Sequence, residues 1–292
     1  MTSPNRIAIV GNIGKPAVTV AALAAVDFLV GRSASVLVEP QLADLLGRPE
    51  LAAGASELTA ADAVVVFGGD GTVLGNSRLF APAQVPMLGV NLGRFGFLNE
   101  VAPEMIEQAM ASLLSGDFTV EERMMLRARL ERAGEVVAED IALNEVVIGH
   151  ATLARVMHLS MAINDRYVTT YAADGIIIAT PTGSTAYSLS AGGPLVHPEL
   201  RVMLITPICP HTLTTRALII PEEHEVRIEV DCGDGEPMRA TVDGQRSLPT
   251  VPCDALVVRT ADCRVRLITH IGGSSFYEKL QTKLRWGDRM AY

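Results

Sequence analysis

Several signatures that would assign this chain to a familiar class are missing from it. Positive charge is scarce: 24 Lys and Arg stand against 33 Asp and Glu, a formal net charge of −9, which leaves no electrostatic footprint for nucleic acid or an anionic membrane. Any anionic ligand must therefore be held by local groups. Long apolar runs are lacking too. The best candidate, Ala17 to Val30, falls short of the roughly 20 residues that cross a bilayer and contains Asp27. The first residues do not follow the basic, apolar and cleavable order of a signal peptide, so a cytoplasmic protein is expected. Cys209, Cys232, Cys253 and Cys263 form no C-x-x-C pair and have no histidine at zinc spacing. They read as buried free thiols. The six histidines are scattered, and no structural metal site is expected. There is no internal repeat or low-complexity tract.

What the chain does have is apolar content, 49% of 292 residues, enough for two ordinary cores. Arg6 to Val10, Ser35 to Val38, Ala63 to Phe67 and Met87 to Val90 read as strands. Segments of helical composition lie between them, including Ala17 to Val30 and Gln41 to Leu46, and Pro103 opens an amphipathic helix running to Leu114. This alternation predicts a doubly wound, Rossmann-like α/β sheet whose ligands gather at the carboxyl ends of its strands. From about Phe118 the texture changes. Leu126 to Leu130, Val136 to Ile148, Arg155 to Ile163, Tyr167 to Thr170 and Ile176 to Ala179 are short β-like stretches, followed by others around Ala217 to Ile220, Glu225 to Val230, Ala240 to Val242 and Leu256 to Thr260. The expected division is an α/β domain over 1–122 and a β-rich domain over 123–270. Residues 271–292, with helical character from Phe276 to Arg285, are expected to pack back on the first domain.

The densest chemistry lies in Ala63 to Gly75, where an apolar run ends abruptly in Gly68-Gly69-Asp70-Gly71. Three glycines in four positions sacrifice backbone entropy, which suits a close approach of a ligand to the main chain, and a phosphate is the ligand best matched to bare N–H groups. A carboxylate beside a phosphate repels it unless an acidic proton or a cation lies between. Asp70 therefore points to catalysis rather than to cradling alone. Asn91 to Leu98 follows the fourth strand and should face the same crevice. A second dense stretch, Thr180 to Ser188, offers small hydroxyl groups beside Gly183, which suit ribose and phosphate oxygens. Its plainer reading is a hydroxyl-capped helix start.

Two common nucleotide motifs fail here. Gly11 to Pro16 lacks the spacing and the hydroxyl of a Walker loop, and Lys15 reads as an exposed lysine at a helix start. Gly69, Gly71 and Gly75 loosely match a dinucleotide fingerprint, but they follow the third strand, and Asn91 stands at the end of the next strand, where an acidic ribose ligand would be needed.

Gly68-Gly69-Asp70-Gly71-Thr72 resembles the signature shared by NAD kinases, diacylglycerol kinases and sphingosine kinases, with a related one in phosphofructokinases. Asn144-Glu145 and Thr180-Pro181-Thr182-Gly183-Ser184-Thr185-Ala186-Tyr187 narrow the resemblance to the NAD kinase family. Supporting matches are Gly89-Val90-Asn91, Gly96-Phe97-Leu98, Arg123 to Leu126, Ser190 to Pro194, His211-Thr212-Leu213 and Asp243-Gly244-Gln245, so it runs from about residue 6 to Gly287.

The resemblance implies transfer of the γ-phosphoryl of ATP, or of polyphosphate, to the 2′-hydroxyl of the adenosine ribose of NAD, with Mg²⁺ or another divalent cation carried mainly by the nucleotide. Asp70 would be the general base. Gly68, Gly69, Gly71 and Thr72 would meet the phosphates. Asn144 and Glu145 would bind ribose and base groups of NAD, Asp174 its nicotinamide end, often across a subunit boundary, and Thr182, Thr185, Ala186 and Tyr187 its adenosine side. Gly71, Asn91, Phe97 and Gln245 would border the same pocket, in a crevice between the domains. A homodimer or homotetramer is implied as well, and a mean hydropathy of +0.29 leaves room for a large interface. Met124 and Met125 are expected in the core.

Three positions in two places depart from the family pattern. Ala172 replaces a basic residue, and Thr214-Thr215-Arg216-Ala217 alters a loop that is usually Thr-Asn-Arg-Pro. The rival readings are a diacylglycerol- or sphingosine-type lipid kinase, disfavoured by Thr180 to Tyr187, and a non-catalytic dinucleotide-binding module, disfavoured because binding alone gains nothing from Asp70.

Overall fold

The computed structural model describes residues 3–93, 96–150, 157–230, 238–269, 271 and 275–284. The chain divides into two compact units, residues 1–122 with 265–292, and residues 123–264.

The first unit opens with β1 (Arg6–Gly11), α1 (Ala17–Val30), β2 (Ser35–Val38), α2 (Pro40–Leu45), α3 (Ala55–Leu58), β3 (Ala63–Gly68), α4 (Asp70–Phe80), β4 (Met87–Asn91) and α5 (Ile106–Ser115). The four strands pair in parallel in the order β2-β1-β3-β4. All six residues of β3 and all five of β4 are buried, as unbroken apolar runs in a parallel sheet should be. Ile7, Ile9, Val38, Val65, Phe67, Leu88 and Val90 turn to a core shared with Val18, Val26 and Leu29 of α1 and Met110 and Leu113 of α5. The structure adds α4, which begins inside the glycine turn, so that Asp70 is the first residue of a helix rather than part of a loop.

The second unit is antiparallel. It contains β5 (Thr119–Arg132), which begins in the first unit, then β6 (Glu135–Ala142), β7 (Glu145–His150), β8 (Met157–Ile163), β9 (Arg166–Ala173), β10 (Gly175–Ala179), a 3-10 turn over Thr182–Thr185 and the short α6 (Tyr187–Ser190). It continues with β11 (Val202–Ile208), β12 (Leu218–Pro221), β13 (Val226–Val230), β14 (Met238–Val242), β15 (Arg246–Leu248) and β16 (Ala255–Thr269). One sheet runs β12-β11-β10-β7-β14-β15. Facing it, β13 joins β8 and β16, β8 joins β9, and β5 joins β6 and β16. Ile176, Ile178, Val146, Ile148 and Ala240 from one layer meet Leu126, Leu159, Met161, Ile228 and Val258 from the other, with Met124 among them. Beyond β16, whose Leu267 pairs with Met87 in the first unit, the chain ends its described part in α7 (Phe276–Leu284).

Two expectations need correction. Val136 to Ile148 is not one stretch but two strands broken at Leu143-Asn144, because Asp243 takes the backbone N–H groups of residues 143, 144 and 145 away from any ladder. Nor are the cysteines uniformly buried thiols: Cys209 is free but exposed, Cys263 is free and half-buried, and Cys253 is in a disulfide. Cys232 lies outside the described residues.

Candidate active site

In the first unit the site is built on Asp70. Its carboxylate accepts the Phe97 N–H on Oδ2 (2.7 Å), and the Leu98 N–H (3.1 Å) and Asn99 Nδ2 (2.8 Å) on Oδ1. An ionised carboxylate has about four lone-pair sites, so three donors fix its orientation and leave about one site for an incoming proton. Position one of α4 also puts the charge at the favourable end of the helix dipole. Gly96 is the residue that permits this grip. A Cβ there would lie 1.8 Å from Asp70 Oδ1, so any side chain at position 96 excludes the observed carboxylate. The loop is pressed against β4 by bonds from the Glu100 and Val101 N–H groups to Gly89 O and from the Asn91 N–H to Val101 O.

The glycine turn is partly self-satisfied. Thr72 Oγ1 accepts the Gly69 N–H at 3.4 Å, and a Cβ at Gly68 would meet that hydroxyl at 2.1 Å. Gly71 is exposed at the helix start. Asn91 spends both ends of its amide on Gly93, accepting its N–H and donating to its carbonyl at 3.2 Å each, and so closes its own loop. Lys15 was expected to be an ordinary exposed lysine; it is half-buried instead. Its Nζ donates to Leu92 O (3.3 Å) and lies where a Cβ on Gly93 would approach to 2.9 Å and one on Gly69 to 3.5 Å. A cation therefore stands between the two glycine loops.

In the second unit Asn144, Glu145 and the 180–187 stretch come together although they are distant in sequence. Asp243, 6% exposed, accepts the N–H groups of Leu143 (3.1 Å), Asn144 (2.7 Å) and Glu145 (3.2 Å). It can do so because Asp243 and Gly244 both adopt positive φ, 51° and 62°, in the tight turn between β14 and β15. Thr180 bonds the other side of the same segment, through its N–H to Asn144 O (2.8 Å) and its hydroxyl to Leu143 O (2.6 Å). Gly183 then lies so close that a Cβ would fall 2.2 Å from Asn144 O. Thr182 and Thr185 share the 3-10 turn, and Ala186 and Tyr187 follow it, Tyr187 being 45% exposed.

Glu145 and Thr182 stand out in this cluster. Burial, and secondarily the charge of Asp243, push the Glu145 carboxyl up to about 7, against a backbone hydrogen bond from Tyr187. Glu145 Oε2 and Thr182 Oγ1 are buried with no hydrogen-bond partner among the described residues. Buried polar atoms are rarely left so; an ordered water or a polar ligand would satisfy them. Gln245 is exposed one residue beyond the Asp243-Gly244 turn. Asp174 is not part of this cluster. It is exposed at the start of β10, whereas Thr180 follows the end of that strand, a separation of roughly 20 Å at strand rise.

Sequence reasoning passed over Asn99 and Asp243 as functional groups and set Lys15 aside. Asn99 carried no motif, Asp243 had been noted only within a motif match, and Lys15 had only a failed Walker pattern around it. Among the described residues no three His, Cys, Asp or Glu side chains converge as a metal site.

A carboxylate held by three donors at the carboxyl end of a parallel sheet, and a β-rich unit with buried polar groups that lack partners, fit a nucleotide phosphotransferase. Residues 7–118 match the ATP-NAD kinase N-terminal domain and residues 143–270 the ATP-NAD kinase C-terminal domain. The NAD kinase of Moorella thermoacetica is 44% identical over 97% of this chain and 90% of its own length. That of Geobacter sp. strain M21 is 42% identical over 97% and 99%. Among solved structures, yeast NADH kinase complexed with NADH matches with a TM-score of 0.88 at 24% identity, over 99% of this chain and 89% of that one. An NAD kinase from Archaeoglobus fulgidus in complex with ATP matches at 0.74 and 22%, over 95% and 99%. At such identity these two speak to the fold. The chain belongs to the NAD kinase family.

Proposed function

We propose that this enzyme uses Asp70 to deprotonate the 2′-hydroxyl of the adenosine ribose of NAD as that oxygen attacks the γ-phosphorus of ATP. The O2′–Pγ bond forms, the bond from Pγ to the β–γ bridging oxygen breaks, the proton passes to Asp70, and NADP and ADP leave. The observation that carries this is the three-donor grip on Asp70, which presents a remaining lone pair in a set direction. General-base help of this kind is worth about 10² to 10⁴ in rate.

Lys15, between the two glycine loops, supplies a local cation for the donor phosphates in a chain whose net charge is −9. Gly68, Gly69, Gly71 and Thr72 line the turn beside it. Asn144, Glu145, Thr182, Thr185, Ala186 and Tyr187 take the adenosine side of NAD, with Glu145 Oε2 and Thr182 Oγ1 gaining their missing partners from it. Asn91, Phe97 and Gln245 are assigned to the same substrate, and Asp174 to its nicotinamide end. A divalent cation would arrive on the triphosphate. When bound it neutralises phosphate charge. Polyphosphate as an alternative donor, a homodimeric or homotetrameric state and a cytoplasmic location complete the reading. Among the described residues no helix is long and apolar enough to cross a membrane.

The test is incubation of the purified protein with NAD, ATP and Mg²⁺, with NADP measured by an NADP-specific dehydrogenase. Failure to form NADP with either ATP or polyphosphate would overturn the assignment.

A further inference from the structure

The loop that grips Asp70 is itself gripped from behind. Lys279 of α7, 8% exposed, donates from Nζ to Phe97 O (3.3 Å) and to Glu100 Oε2 (3.1 Å), and Glu100 is 7% exposed. Phe97 O belongs to the peptide unit whose N–H, that of Leu98, donates to Asp70 Oδ1 at 3.1 Å. One peptide group thus has an ammonium on its carbonyl and the Asp70 carboxylate on its N–H. Hydrogen bonds in series polarise one another, so a cation on the carbonyl strengthens the donation to Asp70 and holds the plane of the donor.

The placement of Lys279 has local causes. Ser275 and Glu278 form a reciprocal cap at the start of α7, the Ser275 N–H donating to Glu278 Oε2 (2.7 Å) and the Glu278 N–H to Ser275 Oγ (3.3 Å). Lys283, one turn beyond Lys279 on the same face, sets its Nζ 5.8 Å from the centroid of the Phe97 ring, within cation–π range. Two lysines of one helix therefore hold the backbone and the ring of Phe97.

We propose that Lys279 is a positioning residue for the reaction, acting on Asp70 through the Phe97–Leu98 peptide. This deepens the reading of Asp70 as the base and rests on it. The alternative is a structural ion pair with Glu100 and nothing more, and two single variants separate the possibilities. Lys279→Met and Glu100→Gln each break the same buried pair, but only the first removes the donor to Phe97 O. For Lys279→Met, kcat should fall about 10- to 100-fold, the scale of loss from slight misplacement of a reacting group, with KM for NAD and for ATP changed less than about threefold. Glu100→Gln should keep kcat within about threefold of wild type on the same reasoning. If Lys279→Met folds poorly, the double variant Lys279→Met/Glu100→Gln removes the buried charge that has lost its ammonium; it should regain thermal stability while kcat stays low. Equal kcat in the two single variants, or recovery of wild-type kcat in the double variant, overturns the proposal.

A second measurement does not depend on turnover. Amide hydrogen exchange at Phe97 and Leu98 should speed up at least tenfold in Lys279→Met and stay near wild type in Glu100→Gln. That result in a protein that makes no NADP would leave the loop device standing and remove the catalytic reading. Unchanged exchange in Lys279→Met would remove the device whatever the activity.

Discussion

At the scale of single residues, Asp70 and Glu145 are two carboxyl groups with opposite surroundings. Asp70 is ringed by donors, so Asp70→Asn turns an acceptor oxygen into an NH2 group facing the Phe97 N–H or the Leu98 and Asn99 donors. Turnover should drop by about 10² or more while NAD binding, followed by fluorescence or calorimetry, persists. Wild-type turnover in that variant would remove Asp70 as the base. Glu145 is buried beside Asp243, and its pKa of about 7, raised from an ordinary glutamate's 4.5, bears on stability. Between those two values the folded state holds a proton that the unfolded state has lost, so stability falls as pH rises from about 4.5 to about 7 and is level above. The full penalty is on the order of 3 kcal/mol. Glu145→Gln should therefore flatten the pH dependence of urea unfolding and stabilise the protein most above pH 7; a profile parallel to wild type would contradict this. Lys15→Met should raise KM for ATP about 10- to 100-fold, the worth of one charge-assisted bond, and leave KM for NAD unchanged. The contacts of Asn99 and Asp243 are not legible in the sequence, because a donor or a pin is defined by what faces it.

At the scale of elements, each unit holds a loop pressed so close that only glycine fits. In Gly96→Ala the new Cβ would fall 1.8 Å from Asp70 Oδ1. The loop must retreat, and kcat should fall about 100-fold, with KM for NAD little changed and the circular dichroism spectrum preserved. Gly183→Ala places its Cβ 2.2 Å from Asn144 O and pushes the Thr182–Thr185 turn off the Asn144-Glu145 segment. There the expected loss is in KM for NAD, about tenfold or more, by analogy with one lost hydrogen bond to a charged group. An Ala variant at either position with wild-type kinetics would refute the packing argument. The strands and helices that carry these loops were largely legible. Ala17–Val30 and Ser35–Val38 have the bounds their patterns predict, since periodicity and breakers are local. Helix α4 was not foreseen, because a Gly-Gly-Asp-Gly opening argues against a helix until Thr72 caps it through the Gly69 N–H.

At the scale of the whole molecule, each unit has its own apolar core, and β9 is an edge strand with β8 as its one described neighbour. Tyr167 and Val168 on β9 are 68% and 44% exposed, and an uncovered apolar edge is a ready template for pairing with a second chain. Asp174, proposed above for the nicotinamide end of NAD, directly follows that strand. Sedimentation equilibrium should therefore return twice or four times the 31.1 kDa chain mass, and a monomer at micromolar concentration would exclude the oligomer.

The amino-acid sequence by itself determined the α/β and β-rich division, the glycine turn around Asp70 and the family, because these are written in local patterns and an ordered set of motifs. Tertiary structure alone decided which donors hold Asp70, that Asp243 and Gly183 clasp Asn144, that Lys15 stands between two glycine loops, and that Lys279 backs the Phe97–Leu98 peptide. Those contacts join residues from 27 to 182 positions apart. No periodicity spans such distances; only close packing brings the groups within hydrogen-bond reach.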